Sequence, residues 1–420
     1  MTTTLTRSLR TLVRTAPVAA LAVAAGCDLK VTNPGPVQAS FLDTPAALTG
    51  VVNGAGRDLA ESVNWVAYTG AAVTREVLPS GSTAAFGISV RQQLGVLAVD
   101  DGSDWWNQAQ RARWTAENAT ERVRRVLGTG AATSATLAQA LVWVGFSNRH
   151  LGENFCDGII DGGPKQPYTV YLERAEAAFT EAITVAGAAN NTTLRDAATA
   201  GRASVRVLRN NLSGAATDAA AVSNTFAYRL SYFVNTVDQY NRIYWASANQ
   251  PYRAHTVWGT YYDAYRKTSR DPRVTYDSSL TIRFGDAAVT SLGGQVRWYF
   301  QTKFPARESP INLVTGWEMR LIEAEAQLAA GDVAGAMAKI NGRRVSLGLA
   351  PWSGATAAEA WTALKRERGI ELWLEGRRLG DFRRWAAQNR PGEQEDMTGR
   401  SLCFPIPLSE TETNINLRTP

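Results

Sequence analysis

Histidine is scarce in this 420-residue chain, with only His150 and His255, too few for an HExxH site or a histidine-rich metal cluster. No GxSxG elbow, P-loop or dinucleotide fingerprint occurs, so the local grammar of acyl, phosphoryl and hydride transfer is missing. No cofactor and no metal is expected, and each histidine reads as structural or exposed. Charge of one sign is also lacking: 44 basic residues face 38 acidic ones, for a formal +6. The 38 arginines and 6 lysines are scattered among the acids rather than gathered into a stripe, which leaves no electrostatic footprint for nucleic acid.

Long apolar runs are missing as well. The run TAPVAALAVAA (Thr15 to Ala25) falls short of the ~20 residues that cross a bilayer. It follows Arg7, Arg10 and Arg14 in a segment without acids, and the small residues Ala24, Ala25 and Gly26 stand directly before Cys27. That order is the grammar of a cleaved export signal, and its form resembles a bacterial lipobox, although Ala24 stands where leucine is commoner. The expectation is a signal peptide over 1–26, lipidation of Cys27, and a tether over 27–40 in which Pro34, Gly35 and Pro36 forbid regular structure. A plain secretory peptide containing a cysteine is the alternative. Taking the three arginines from +6 leaves a mature chain near +3.

Cysteine is the third scarcity, at three residues. With Cys27 lipidated, Cys156 and Cys403 remain, an even pair in an exported chain. They read either as a disulfide, which would tie the first half to the C-terminal tail and stabilise by closing a long loop, or as two buried thiols.

What the chain has is helical periodicity. In YLERAEAAFTEAITVAGA, residues Leu172, Ala175, Phe179, Ala182, Ile183 and Ala186 share one face, with Glu173, Arg174, Glu176 and Glu181 opposite. Similar segments run from Trp105 to Leu127, Thr136 to Phe155 and Leu194 to Asn211. In WEMRLIEAEAQLAAGDVAGAMAKINGRR, Ala330 to Asp332 closes one helix and caps the next. A helix is also expected at FLDTPAAL, capped by Asp43 or Thr44 with Pro45 in its first turn, and another after Ser103 or Asp104. Paired amphipathic helices with small residues and short turns point to tetratricopeptide-like stacking. The acidic stretches DDGSD (Asp100 to Asp104) and CDGIID (Cys156 to Asp161) lack EF-hand spacing.

From about Thr225 to Asn312 the period weakens. VRWYFQTKF, RVTYDSS and LTIRF offer short strands, and from Phe226 to Tyr265 twelve of forty residues are aromatic, against 9% overall. Flat rings that stack on sugar faces, beside guanidinium and amide groups that bond hydroxyls, suit a ligand surface. Trp245, Tyr252, Arg253, Trp258, Tyr261 and Tyr262, near Asn249 and Gln250, are its candidate residues. Trp65, Tyr68 and Arg75, in the irregular segment after the first helix, form a second set. Trp105, Trp106 and Trp114 read as core. The competing explanation is that all these rings pack a poorly periodic subdomain.

Glu367, Glu371 and Glu375 stand four residues apart and would share one helix face. Arg368 and Arg378, with Asp381 beyond, supply compensating charge, so this is read as a structural ion-pair ladder along a partly buried helix rather than an acid/base pair. The same segment, RERGIELWLEGRRLGDFRRW (Arg366 to Trp385), resembles the C-terminal signature of the SusD/RagB-like outer-membrane nutrient-binding lipoproteins. Glu367, Arg368, Glu371, Leu372, Glu375, Gly376, Arg378, Asp381, Phe382, Arg384 and Trp385 all match it. EMRLIEAEAQLAAGD leading to INGRRVSLGL, CFPIPLSETETNINL and FLDTPAALTGVVNGA are similar to other segments of that family in the same order.

The resemblance implies a mainly α fold of tetratricopeptide-like helix pairs with a small β element and an irregular, aromatic-rich ligand face. On this reading 41–420 is one SusD-like domain, with a helical scaffold over 41–224 and 313–420 and a variable middle over 225–312. It further implies a non-enzymatic protein, lipid-anchored at the outer membrane of a Gram-negative bacterium, that binds a glycan or peptide and partners a TonB-dependent SusC-like transporter. The chain looks short for the family, which puts a large polysaccharide ligand in doubt. A lipid-anchored protein-interaction scaffold and an α-helical glycoside hydrolase are the competing functions.

Overall fold

A computed structural model of the chain describes residues 39–248, 252–286 and 296–418. The export signal and Cys27 lie outside these, as do Asn249 and Gln250. Two units divide after Leu42. In the first, Ala39–Leu42 form a single turn of helix. All that follows concerns the second.

Helix pairs dominate it. Helix α1 (Leu48–Val73) packs on α2 (Asp104–Leu127) and α3 (Ala135–Asn154), and then α4 (Thr169–Ala188), α5 (Thr192–Leu208) and α6 (Leu212–Ala220) each pack on the helix before. The face expected of α4 is inward, with Leu172, Ala175, Phe179, Ala182 and Ala186 all fully buried, and Ile183 half-buried. Asn191 and Asn211 cap α5 and α6 through their side chains, satisfying otherwise orphaned N–H groups. Short helices α7 (Arg242–Ala248) and α8 (Tyr261–Ser269) follow, and then α9 (Gly316–Ala329) and α10 (Val333–Ser346), turned by Ala330 to Asp332, with the Asp332 carboxylate accepting from Gly335 N–H at 2.8 Å. Helices α11 (Ala357–Glu371), α12 (Arg378–Ala387) and α13 (Leu408–Thr413) follow.

Among the described residues the β content is four antiparallel pairs of short strands. Along the chain they are β1 (Leu78–Pro79), β2 (Asp157–Gly158), β3 (Gln166–Pro167), β4 (Ala227–Leu230), β5 (His255–Thr256), β6 (Tyr276–Ser278), β7 (Tyr299–Gln301) and β8 (Ile311–Thr315), paired β1·β5, β2·β3, β4·β8 and β6·β7. The β4·β8 ladder places Ala227 opposite Thr315. It therefore ties the two ends of the aromatic-rich segment together where α6 hands over to α9, which pack on each other. VRWYFQTKF and RVTYDSS supply β7 and β6, and LTIRF contributes an isolated bridge, Phe284 with Arg297.

Several local expectations fail. The first long helix begins at Leu48, capped by neither Asp43 nor Thr44; Asp43 instead pairs with Arg122 and Arg125 of α2, an alternative use of its charge that a cap would forgo. Ser103 stands at the N-cap of α2 without a side-chain bond. Trp114 is 56% exposed, unlike Trp105 and Trp106, which are core: it falls on the outer face of α2. Cys156 and Cys403 are bonded, with Cα atoms 5.1 Å apart, beside backbone bonds from Cys156 N–H to Phe404 O and from Phe404 N–H to Asn154 O.

Candidate ligand-binding face

Trp65, on α1, does not lie in an irregular segment after a helix. Neither does Tyr68. Both sit inside α1, whose nearly all-round burial, Ser62, Asn64 and Thr69 included, leaves no polar stripe to reveal the period. Asn64 clamps the incoming chain: its amide donates to Tyr240 O at 2.5 Å, and its carbonyl accepts from Arg242 N–H at 2.7 Å. That clamp sets the start of α7, and hence the positions of Arg242 and Trp245. The Arg242 guanidinium lies 3.2 Å from the Trp65 ring centre and donates to Phe86 O at 2.6 Å. Burial pulls its pKa down to about 10.

Around this contact the rings form one cluster. Phe86, only 2% exposed, is its floor, with its ring centre 6.3 Å from that of Trp245 and 5.7 Å from that of Tyr252, both edge-on. Tyr240 meets Trp245 at 5.3 Å, and the exposed Arg307 covers Tyr240 and Trp245 at 4.8 and 5.1 Å. Trp65, Tyr240 and Trp245 are half-buried and Tyr252 is exposed, so the cluster offers partly open ring surface with guanidinium groups between. Such a surface can stack on the apolar face of a sugar and bond its hydroxyls. The adjoining β1·β5 strand pair is held by Ser80, whose hydroxyl donates to Arg253 O at 2.6 Å, and Ser82 bonds the Asp286 carboxylate.

The other candidates lie elsewhere. Tyr68 is buried, its hydroxyl 2.8 Å from His255 Nδ1. Arg75 is exposed in the turn after α1, with Asp396 and Arg400 in electrostatic range. Arg253 is half-buried and used through its backbone, and Trp258 is 36% exposed beyond β5. Tyr261 and Tyr262 belong to a second group of rings: Tyr261 stacks on Tyr265, Tyr265 meets Trp352, and Tyr262, 2% exposed, stacks on Trp373. The structure thus brings Trp65, Trp245 and Tyr252 together and sets Tyr261 and Tyr262 apart. Tyr240, Arg242 and Arg307 went unselected although the first two lie in the aromatic-dense window; Phe86, distant in sequence, carries no such signal.

The acidic ladder is not one helix. After Glu371 the chain breaks, with Leu374 at φ 61° and Gly376 at φ 71°, and α12 starts at Arg378. Glu375 therefore leaves the shared face. The partners also differ from those that spacing suggests. Glu367 pairs with Arg273 at 2.6 Å and Arg344 at 3.3 Å, and Glu371 with the same Arg273 at 2.8 Å. Glu375 meets Lys303 at 2.8 Å, Arg378 pairs with Glu395, and only Arg368 with Asp381, at 3.0 Å, joins two members of the set. Burial alone would raise the Asp381 carboxyl; Arg368 and Arg384 overcome it and hold it well below the usual range. Carboxylates so committed are poor general acids or bases. His150 and His255, both buried, are pulled down to about 3, by burial in each case and by Arg149 in the first. Among the described residues no group of three or more His, Cys, Asp or Glu could hold a metal ion, and no helix is long and apolar enough to cross a membrane.

Residues 232–416 match the SusD family model. This part of the chain resembles the SusD/RagB family. No curated protein matches it by sequence, but solved structures do by fold. A SusD superfamily protein from Parabacteroides distasonis superposes with a TM-score of 0.65 at 14% identity, over 91% of this chain and 99% of the other. One from Bacteroides vulgatus gives 0.62 at 14%, over 88% and 97%. A laminarin-binding SusD-like protein gives 0.60 at 15%, again over 88% and 97%. The matched region takes in Tyr240, Arg242, Trp245, Tyr252 and Arg307, and Trp65 and Phe86 come to the cluster from outside it.

Proposed function

We propose that this is a nutrient-binding protein that captures a glycan on the Trp65, Tyr240, Trp245 and Tyr252 face and passes it to a TonB-dependent, SusC-like transporter at the outer membrane, to which it is anchored through lipid on Cys27. The observation that carries the reading is the partly open ring cluster threaded by Arg242 and Arg307. The SusD fold and the laminarin-binding relative support glycan over peptide. A glycoside hydrolase would need opposed, available carboxylates, whereas Glu367, Glu371, Glu375 and Asp381 are engaged with cations. A pure interaction scaffold fits the buried Tyr262 and Tyr265 but gives no role to the open cluster.

Calorimetric titration of protein purified without residues 1–27 against panels of oligosaccharides and peptides tests this. Replacing Trp245 and Tyr252 by alanine is expected to weaken saccharide binding by about tenfold or more, as loss of stacked rings does, with an unchanged melting profile. Undiminished binding in that variant would remove the face from the function. Surface protease access and copurification of a transporter test anchoring and partnership; an inner-membrane location would count against nutrient capture.

A further inference from the structure

A cleft of about 690 Å³ opens on the scaffold between α11, the loop at Trp352 and Ser353, and the segment at Gly392 and Glu393. Its residues are distinct from those of the Trp245 face. The volume falls in the ~300–1,000 Å³ range typical of small-molecule sites.

Its aromatic wall is unusually well fixed. Trp352 is clasped by Asn341, whose carbonyl accepts from Trp352 N–H at 2.7 Å while its amide donates to Trp352 O at 3.0 Å. The Trp352 indole N–H donates to the fully buried Glu367 at 2.8 Å, and Arg344 packs over the ring at 4.2 Å. The remaining ring surface borders the cleft. Opposite it, Arg366 of α11 pairs with Glu393 at 3.0 Å, and Thr362 accepts from Glu393 N–H at 2.8 Å. The facing segment is seated tightly: Gly392 has φ 87°, a Cβ there would lie 2.7 Å from Ala358 O, and Lys365 donates to Gly392 O at 3.1 Å. The Tyr261–Tyr265 stack reaches Trp352 through Tyr265, and Arg366 acts electrostatically on the Tyr261 hydroxyl.

A flat indole, hydroxyls and an accessible ion pair of both signs match a neutral saccharide, which presents C–H faces together with hydroxyls that donate and accept. An anionic ligand would meet Glu359 and Glu393 as well as Arg366. We infer that the Trp352 cleft is a second site for a neutral saccharide, separate from the Trp245 face. It rests on the saccharide-binding reading above. Two sites on one rigid scaffold would raise retention of a longer chain through effective concentration.

The test titrates the full chain, in a detergent without a sugar headgroup, with the neutral trisaccharides laminaritriose, cellotriose and maltotriose. Calorimetry gives stoichiometry, and the indole N–H resonance of Trp352, assigned by its disappearance in Trp352→Phe, reports occupancy of the cleft. Two molecules per chain and a shifted Trp352 resonance are expected. Ala358→Trp, an exposed position in the cleft wall, should leave one molecule bound and abolish the shift, and Arg366→Ala should weaken the cleft by about tenfold. The Trp245→Ala, Tyr252→Ala protein should keep the Trp352 shift. Binding at a single site that this double variant abolishes would overturn the second site and leave the first intact. Unchanged stoichiometry in Ala358→Trp would overturn it equally. No trisaccharide bound anywhere would remove the glycan reading itself.

Discussion

Glu76, in the turn after α1, shows how a single buried carboxylate couples two distant parts of the chain. It accepts from Leu374 N–H at 2.8 Å and from the Thr74 hydroxyl at 3.0 Å, and so fastens the left-handed turn between α11 and α12 to the first helix. Burial pushes its pKa up to about 7, against the pull of the Leu374 N–H, Arg378 and Thr74. The folded protein therefore holds a proton that the unfolded chain releases near its ordinary 4.5, and this contribution to stability is lost as pH rises through about 7. His150 and His255 act in the opposite sense. Their folded values of about 3 mean that the unfolded chain takes up protons first, so stability is lost as pH falls below about 6.5. Glu76→Gln keeps an acceptor for Leu374 and removes the titration. Its stability relative to the parent should rise between pH 5 and pH 8 by up to about 3 kcal/mol, measured by urea unfolding at both pH values. A difference that stays flat with pH would show that Glu76 is not held protonated.

At the scale of elements, close approach of helices depends on what side chains leave out. Phe179 of α4 is fully buried and packs edge-on against Phe146 at 4.9 Å, in a space made by Gly145 of α3 and Gly201 of α5. A Cβ at Gly145 would stand 2.5 Å from the Phe179 ring, and three packed helices leave the ring no room to yield. Gly145→Ala should destabilise by about 1–3 kcal/mol despite the better helix propensity of alanine, read as a lower midpoint with unchanged m-value in urea. Pairs such as α4 with α5 were legible in the sequence because their apolar period is clean. Helix α1 was legible only in part, since buried polar residues such as Ser62 and Asn64 erase the contrast between its faces. The break after Glu371 was hidden because glutamates continue at helical spacing through Leu374 and Gly376, where the backbone turns left-handed. The aromatic enrichment located much of the ring cluster proposed as the binding face, yet no local pattern joins Phe86 or Trp65 to Trp245; tertiary packing alone does that. Trp352, with no periodic neighbours, likewise gains meaning only from the clasp by Asn341 and Glu367.

Across the whole molecule, the chain's two ends of the scaffold are joined covalently. The Cys156–Cys403 bond links the end of α3 to the C-terminal segment across a sequence separation of 247. Loop closure in the unfolded chain then favours the folded state by about 5.5 kcal/mol in the chain-entropy model. Yet the tail does not depend on the bond for its place. Phe404 is fully buried, packs on Trp105 and Phe155, and exchanges backbone hydrogen bonds with the residues around Cys156. Replacing both cysteines by serine should therefore lower the melting midpoint and cost up to about 5.5 kcal/mol, while saccharide titrations retain their affinity, because neither the Trp245 face nor the Trp352 cleft contains a residue of that junction. Dithiothreitol should lower the midpoint of the parent and leave that of the double serine variant unchanged. Loss of binding in a variant that still melts cooperatively would show instead that the tail positions the ligand surfaces, and the link would then belong to function as well as to stability.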